Sequence, residues 1–195
     1  MKRTVELPDN KSIEIEYDKH TYDPRWSAVD TIVLADMCIK ETNPSSLIDV
    51  GCGSGVLGLS LKYLHPLVQV TCVDSEDYAV KQTRKNAKRL GLDVSVFRSD
   101  LLPKTTTFPL VVANLPSFDD TDMQKYVLRG PEAAYKADNT DGLALYRRLV
   151  KQVPVNSFLV CEVQEKLQPE FLKLVAANYE LITRTDAAFA LFRYI

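Results

Sequence analysis

The chain has 195 residues, 46% of them hydrophobic, enough for one domain with a substantial buried core. A formal net charge of -2 removes any global positive field that would draw in nucleic acid or an anionic membrane, and leaves only local basic patches to consider. Cys38, Cys52, Cys72 and Cys161 lie inside apolar runs without C-x-x-C spacing, which points to buried free thiols in a reducing compartment and away from a zinc site or disulfide framework.

The stretch from Met1 to Pro8 lacks the apolar run of a signal peptide, and no segment is long enough to span a bilayer. The expectation is a cytoplasmic protein without a membrane partner. Period-two alternation through Val5, Leu7, Ile13, Ile15 and Tyr17 around the turn cluster Pro8-Asp-Asn-Lys11 predicts a β-hairpin over 4–17. Residues 18–26 read as a loop, and the aromatic stretch Tyr22-Asp-Pro-Arg-Trp26 is a candidate cover for a site. Ser27 and Asp30 resemble a capping box at the start of a helix that runs through Ile39 and is expected to bury Val29, Ile32, Val33 and Met37. The expected division, within one domain, is a hairpin and cover loop over 1–26 and a core over 27–195.

From Leu47 onward strands and helices alternate. Apolar runs predict strands over 47–50, 68–73, 94–97, 108–113 and 158–163, with helices over 54–64, 76–90, 141–153 and 169–178. The 76–90 helix carries acids in its first turn, bases in its last and Gly91 as its stop. Residues 119–139 are longer than a compact-domain connection and read as a functional lid. Two closing strands over 181–185 and 188–194 share a turn too short for a parallel crossover. The fold class expected is α/β: a Rossmann-like, doubly wound, mainly parallel seven-stranded sheet whose last strand is antiparallel, preceded by an N-terminal β-hairpin.

The most informative stretch is Ser46-Leu-Ile-Asp-Val-Gly-Cys-Gly-Ser-Gly-Val-Leu-Gly58, an apolar run that ends in Asp49 and then meets Gly51, Gly53 and Gly55. It reads as strand, tight turn and helix, with glycines that admit positive φ and let a ligand approach the main chain. In open α/β sheets ligands bind beyond the carboxyl ends of the strands, and Asp74, Asp100 and Asn114 also fall at or just past such ends. Asp74 stands where an acid accepts hydrogen bonds from ribose hydroxyls. A dinucleotide fingerprint needs a third glycine where Val56 stands, and Asp49 would face a pyrophosphate unfavourably. The same acid suits a ligand carrying an ammonium and a sulfonium.

Asp49-Val-Gly-Cys-Gly-Ser-Gly55 resembles the first motif of class I S-adenosylmethionine-dependent methyltransferases, Val73-Asp74-Ser75 the ribose-binding acid of the second, and Ser99-Asp100-Leu101 the acid near the adenine. Asn114-Leu-Pro-Ser117 resembles the Asn/Asp-Pro-Pro-Tyr signature of enzymes that methylate planar nitrogens. Gly130-Pro-Glu-Ala-Ala134 with Asp141-Gly-Leu-Ala-Leu-Tyr-Arg-Arg148, and upstream Tyr22-Asp-Pro-Arg25 with Asp30-Thr31, narrow the likeness to release-factor glutamine methyltransferases. The resemblance implies S-adenosylmethionine as cofactor, held by Asp49, Gly51, Cys52, Gly53, Gly55, Asp74, Ser75, Asp100 and Asn114. It implies Asn114, Leu115 and Pro116 as the catalytic motif, with Asn114, Leu115 and Phe118 against the substrate. An amide lone pair is delocalised and attacks poorly unless its N–H groups are gripped. In the family the Asn oxygen and the next carbonyl do this, and an aromatic packs on the planar group.

Here Leu115 replaces the first proline, and Ser117 replaces the aromatic, which leaves Phe118 as the nearest stacking face. The implied partner is a protein substrate such as a release factor. A small zinc-binding subunit accompanies some of the short archaeal and eukaryotic-type enzymes. Two competing readings are methylation of an exocyclic amine in RNA or DNA, for which Lys81, Arg84, Lys85, Lys88 and Arg89 form a basic helix face, and a non-catalytic binding subunit of the same fold. His65, beside Pro66, reads as a helix-end residue, and no metal site is expected.

Overall fold

The computed structural model describes residues 1–18, 21, 24, 28–104, 107–118, 122 and 141–195. His20, the 22–26 cover stretch apart from Pro24, the capping Ser27, the 130–134 segment and all of the 119–139 lid except Asp122 lie outside the described residues.

The chain opens with an antiparallel hairpin, β1 (Lys2–Leu7) and β2 (Lys11–Glu16), in which Leu7 pairs with Lys11. Asp9 and Asn10 turn it at positive φ, a region their short polar side chains tolerate. Next come α1 (Ala28–Thr42), β3 (Ser46–Val50), α2 (Val56–Leu64), β4 (Gln69–Asp74), α3 (Asp77–Leu90), β5 (Ser95–Arg98) and β6 (Leu110–Ala113). After residue 140 follow α4 (Ala144–Gln152), β7 (Ser157–Glu162), α5 (Gln168–Val175), β8 (Tyr179–Arg184) and β9 (Ala188–Arg193).

Seven strands form one sheet in the order β5-β4-β3-β6-β7-β9-β8. The strands from β5 through β7 are parallel, and β9 inserts antiparallel between β7 and β8. The expected seven-stranded sheet with an antiparallel last strand is what forms. From β3 the chain steps outward one way to β4 and β5, then returns to place β6 and β7 on β3's other side. The order therefore reverses between β3 and β6, the kind of place where such sheets leave a crevice.

Period two sorts the sheet residues between two cores. Leu47, Val70, Cys72, Leu110 and Val112 face α1, α2 and the hairpin's Val5, Leu7, Ile13 and Ile15. Ile48, Val50, Val73, Val111 and Ala113 face Tyr146, Leu149 and Phe171 from α4 and α5. The hairpin thus shares the core of the sheet. Polar contacts fasten it to α3 as well: Lys85 pairs with Glu16 at 2.8 Å, and Arg89 lies 3.4 Å from Glu14 and 3.5 Å from Glu16. Lys85 and the neighbouring cations hold the Glu16 carboxyl below its usual range. Part of the basic face of α3 is accordingly engaged within the molecule.

Two sequence expectations are corrected. Val29 and Met37 are exposed, and α1 instead buries Ala28, Thr31, Ile32, Leu34, Ala35, Cys38 and Ile39. The buried face is the one that packs against α2 and β9, and Val29 and Met37 lie off it. The helix after the glycines begins at Val56, because Gly55 has φ 85° and cannot be helical. His65 caps the C-terminal end of that helix, and its Nε2 lies 2.8 Å from Asp36 Oδ1 on α1. Among the described residues no helix is long and apolar enough to cross a membrane, and no His/Cys/Asp/Glu group can hold a metal.

Candidate functional site

Two loops meet at the switch point. The first, 51–55, leaves β3 with Gly51, Gly53 and Gly55 at φ 75°, 55° and 85°. A Cβ on Gly51 would come 2.8 Å from Leu115 Cδ2, and one on Gly55 would come 2.8 Å from Leu59 and 2.9 Å from Thr83. A side chain at either position would force its Leu or Thr neighbours to shift, on top of the strain of positive φ. A Cβ on Gly53 would meet nothing within 4 Å, so this glycine keeps an open side on an otherwise packed loop.

The loop is tied down by main-chain and side-chain bonds together. Gly51 and Cys52 N–H both donate to the Val73 carbonyl at 2.9 Å. Gly53 N–H donates to Asp74 Oδ2 at 2.9 Å, and Glu76 N–H donates to Asp74 Oδ1 at the same distance. Burial raises the Asp74 carboxyl above its ordinary pKa even against these two donors. From α3, Thr83 Oγ1 donates to the Gly53 carbonyl at 3.0 Å, and Asn86 Nδ2 donates to the Ser54 carbonyl at 2.8 Å.

Asp49 stands behind this loop, with no exposed surface. Its Oδ2 accepts the Gly58 N–H at 2.9 Å, one of the orphan donors in the first turn of α2. A Cβ on Gly58 would sit 2.5 Å from Cys72 Sγ and 3.1 Å from Asp49, so the absence of a side chain there lets α2 close onto β3 and β4. Asp49 Oδ1 is buried without a hydrogen-bond partner. Burial pushes the carboxyl up to about 7, with Asp74 adding like-charge repulsion. The Cys52 side chain is also buried, 3.4 Å from Thr83 Oγ1, so this residue meets the crevice through its backbone. Ser75 is exposed, and its carbonyl accepts from Arg98 Nε at 2.7 Å. Asp100 is two residues beyond β5 and ion-pairs with Arg148 at 2.5 Å.

The second loop follows β6 and contains Asn114, Leu115, Pro116, Ser117 and Phe118. Asn114 Nδ2 donates to Glu162 Oε2 at 3.4 Å, and Thr31 Oγ1 on α1 donates to the same oxygen at 3.3 Å. A carboxylate only accepts, so it fixes which end of the Asn114 amide turns toward it and sends Oδ1 the other way. Tyr146 OH accepts the Leu115 N–H at 3.1 Å and donates to the Glu162 carbonyl. Leu115 and Ser117 are buried, while Pro116 and Phe118 are half-buried. Ser117 Oγ accepts from Gln164 Nε2 at 2.9 Å, and the Ser117 carbonyl lies only 2.5 Å from where a Cβ on Gly142 would be.

Sequence reasoning brought Asp49, the glycines, Asp74 and Asn114 to one place and missed the residues that hold them. Glu162 had the same signal as Asp74, an acid at the end of an apolar strand. Tyr146 and Gly142 fall within the 141–148 stretch already singled out. Thr83 and Asn86 are polar residues three apart on the buried face of an amphipathic helix, a pattern that asks what they bond.

Comparison with known proteins accords with this geometry. Residues 29–132 match the family model of the methyltransferase small domain. The release factor glutamine methyltransferase of Streptococcus pneumoniae is 30% identical over 148 residues, covering 73% of this chain and 52% of its own length. That of Borreliella burgdorferi is 27% identical over 185 residues, covering 90% of this chain and 60% of its own. The chain spans about half the length of the curated relatives it matches. Among solved structures, a T. thermophilus 16S rRNA N2 methyltransferase in complex with AdoMet and guanosine superposes with a TM-score of 0.69 at 14% identity, covering 100% of this chain and 50% of its own. The hMettl16 catalytic domain in complex with a 3′UTR hairpin does so with a TM-score of 0.67 at 12% identity, covering 92% and 74%. At such identities the likeness is one of fold. With more than half its residues inside the family match, the chain belongs to the methyltransferase small domain family.

Proposed function

We propose that this chain transfers a methyl group from S-adenosylmethionine to a planar amide nitrogen, with a protein glutamine such as that of a translation release factor as the acceptor. The observation that carries the reading is the fixed Asn114–Leu115 pair, set directly beside Gly51 where strand order reverses. The names of the curated relatives supply the acceptor class.

The residues present fit the cofactor. Gly53 offers an open main-chain face, Asp74 lies at its edge, and an uncompensated buried carboxyl oxygen on Asp49 stands behind it. Both carboxyls are raised by burial, and a cationic ligand relieves that cost where an anionic one adds to it. S-adenosylmethionine supplies an electrophilic methyl carbon on a sulfonium when bound. The 51–55 loop and Asp74 would hold it, with Ser75 and Asp100 further along the strand ends. Asn114 Oδ1 and the Leu115 carbonyl would accept the two N–H groups of the acceptor and orient its nitrogen. With Ser117 engaged by Gln164, Phe118, the next residue in the chain, is the aromatic we assign to packing against the amide.

The test is incubation of the purified chain with S-adenosylmethionine and a release factor, with total RNA in parallel, followed by mass-spectrometric mapping. A methyl group on a glutamine side chain is the expected product. Methyl on RNA alone would overturn the acceptor and favour the exocyclic-amine reading. A small zinc-binding subunit enters the same assay as an added component.

A further inference from the structure

We infer that Asn86 is a positioning residue that makes the N-terminal hairpin part of the cofactor site. The inference rests on the cofactor reading above. The hairpin lies outside residues 29–132, the part of the chain that matches the family, and is well away from Asn114 in sequence. Its last strand residue, Glu16, nonetheless meets the glycine loop through a single side chain. Glu16 N–H donates to Asn86 Oδ1 at 3.1 Å, Asn86 Nδ2 donates back to the Glu16 carbonyl at 2.7 Å, and it also donates to the Ser54 carbonyl at 2.8 Å.

The Asn86 amide thus pairs with Glu16 as a neighbouring strand would, offering one acceptor and one donor, and commits its other donor to the loop. Its side chain has no exposed surface, and its bond to the Ser54 carbonyl is fully buried while the pair to Glu16 is partly so. The residue type is narrowly determined. Aspartate has no N–H to give two carbonyls, and glutamine is a methylene too long for three fixed targets. Gln82 reinforces the hairpin end only, donating to the Glu16 carbonyl at 2.9 Å, while Thr83 reinforces the loop end only, donating to the Gly53 carbonyl at 3.0 Å. One face of α3 therefore carries a hairpin tie, a loop tie and, between them, the residue that joins both. Ser54 and Gly53 are adjacent, so a shift of the hairpin end is transmitted to the glycine with the open side.

The coupling is reciprocal: what the hairpin does for the ligand, the ligand does for the hairpin. Titration calorimetry with S-adenosylmethionine is expected to show binding to the wild-type chain and about tenfold weaker binding to Asn86→Ala. Hydrogen exchange of the Glu16 amide is expected to slow when S-adenosylmethionine binds the wild-type chain. Thr83→Val is expected to weaken binding while leaving Glu16 exchange in the ligand-free chain as in wild type. Affinity of Asn86→Ala within twofold of wild type, at a temperature where its circular dichroism is native, would overturn the inference. So would a Glu16 exchange rate indifferent to ligand. Should Asn86→Ala fail to fold, Gln82→Ala, which removes a hydrogen bond to the hairpin end, is expected to weaken binding, and unchanged affinity there would overturn the inference. Failure of the wild-type chain to bind would overturn the cofactor reading itself, and the first titration separates the two.

Discussion

The glycine loop and the Asn114 loop meet where strand order reverses but are held by different means. The glycine loop is held through its own main chain: its N–H groups and carbonyls bond to the Val73 carbonyl and to the Asp74, Thr83 and Asn86 side chains, the last two fully buried. The Asn114 loop hangs on side chains from α4, the end of β7 and the turn beyond it, and it runs directly into the 119–140 segment. A cofactor shared by a whole family needs a site set by backbone geometry. An acceptor that differs between members is better recognised by side chains that change without disturbing the fold.

Four substitutions test this contrast. Asn114→Ala should lower methyl transfer by at least about 100-fold while leaving affinity for S-adenosylmethionine within about twofold, since the oxygen that would grip the acceptor is lost while the glycine loop keeps its own bonds. Product counting by mass spectrometry alongside calorimetry checks it, and retained turnover would remove Asn114 from its role. Asp49→Asn acts on the other side. The Asp49 pKa is raised from 3.8 to about 7 in the folded chain, so the unfolded chain ionises first and stability falls as pH rises between those values. The variant should lack this fall and gain on wild type by on the order of 2–4 kcal/mol at pH 8 relative to pH 4, read from urea unfolding at each pH. Tyr146→Phe leaves the Leu115 N–H and the Glu162 carbonyl without their buried partner, at a cost of about 1–3 kcal/mol in stability. Transfer should fall more than cofactor affinity. The smallest change is expected from Gly53→Ala: positive φ costs the ligand-free fold only about 1–2 kcal/mol, and S-adenosylmethionine binds about tenfold more weakly because a methyl occupies the open side. Equal cofactor affinity there would mean that the ligand does not approach Gly53.

The sheet was largely legible because strand-length apolar runs, Pro66, Gly91 and the glycine cluster are local signals, each decided by the residues beside it. The cofactor side was legible for the same reason, since glycine spacing encodes a backbone shape directly. What escaped were the residues that act at a distance. Val29 and Met37 look like core on a helical wheel, and only the placement of α2 and β9 against α1 decides that Ala28, Ile32, Ala35 and Ile39 face inward instead. Glu162 and Tyr146 hold the Asn114 loop from 48 and 31 residues away, and no periodicity within either segment announces it. Lys85 and Arg89 read as a solvated or nucleic-acid-facing charge run until the hairpin glutamates are placed against them.

The four cysteines gain a use from where they sit. Each is a free thiol, buried, with its pKa raised by that burial, and thiols react through the thiolate. The native chain should therefore resist alkylation almost completely at neutral pH, and each labelling event reports an opening of the structure rather than surface chemistry. Cys72 and Cys161 lie within the central strands and register opening of the sheet, while Cys38 registers release of α1. Cys52 sits in the glycine loop against Thr83. Its labelling rate relative to the other three is a built-in clock for how often the loop lets go, and it should slow when a ligand holds the loop shut.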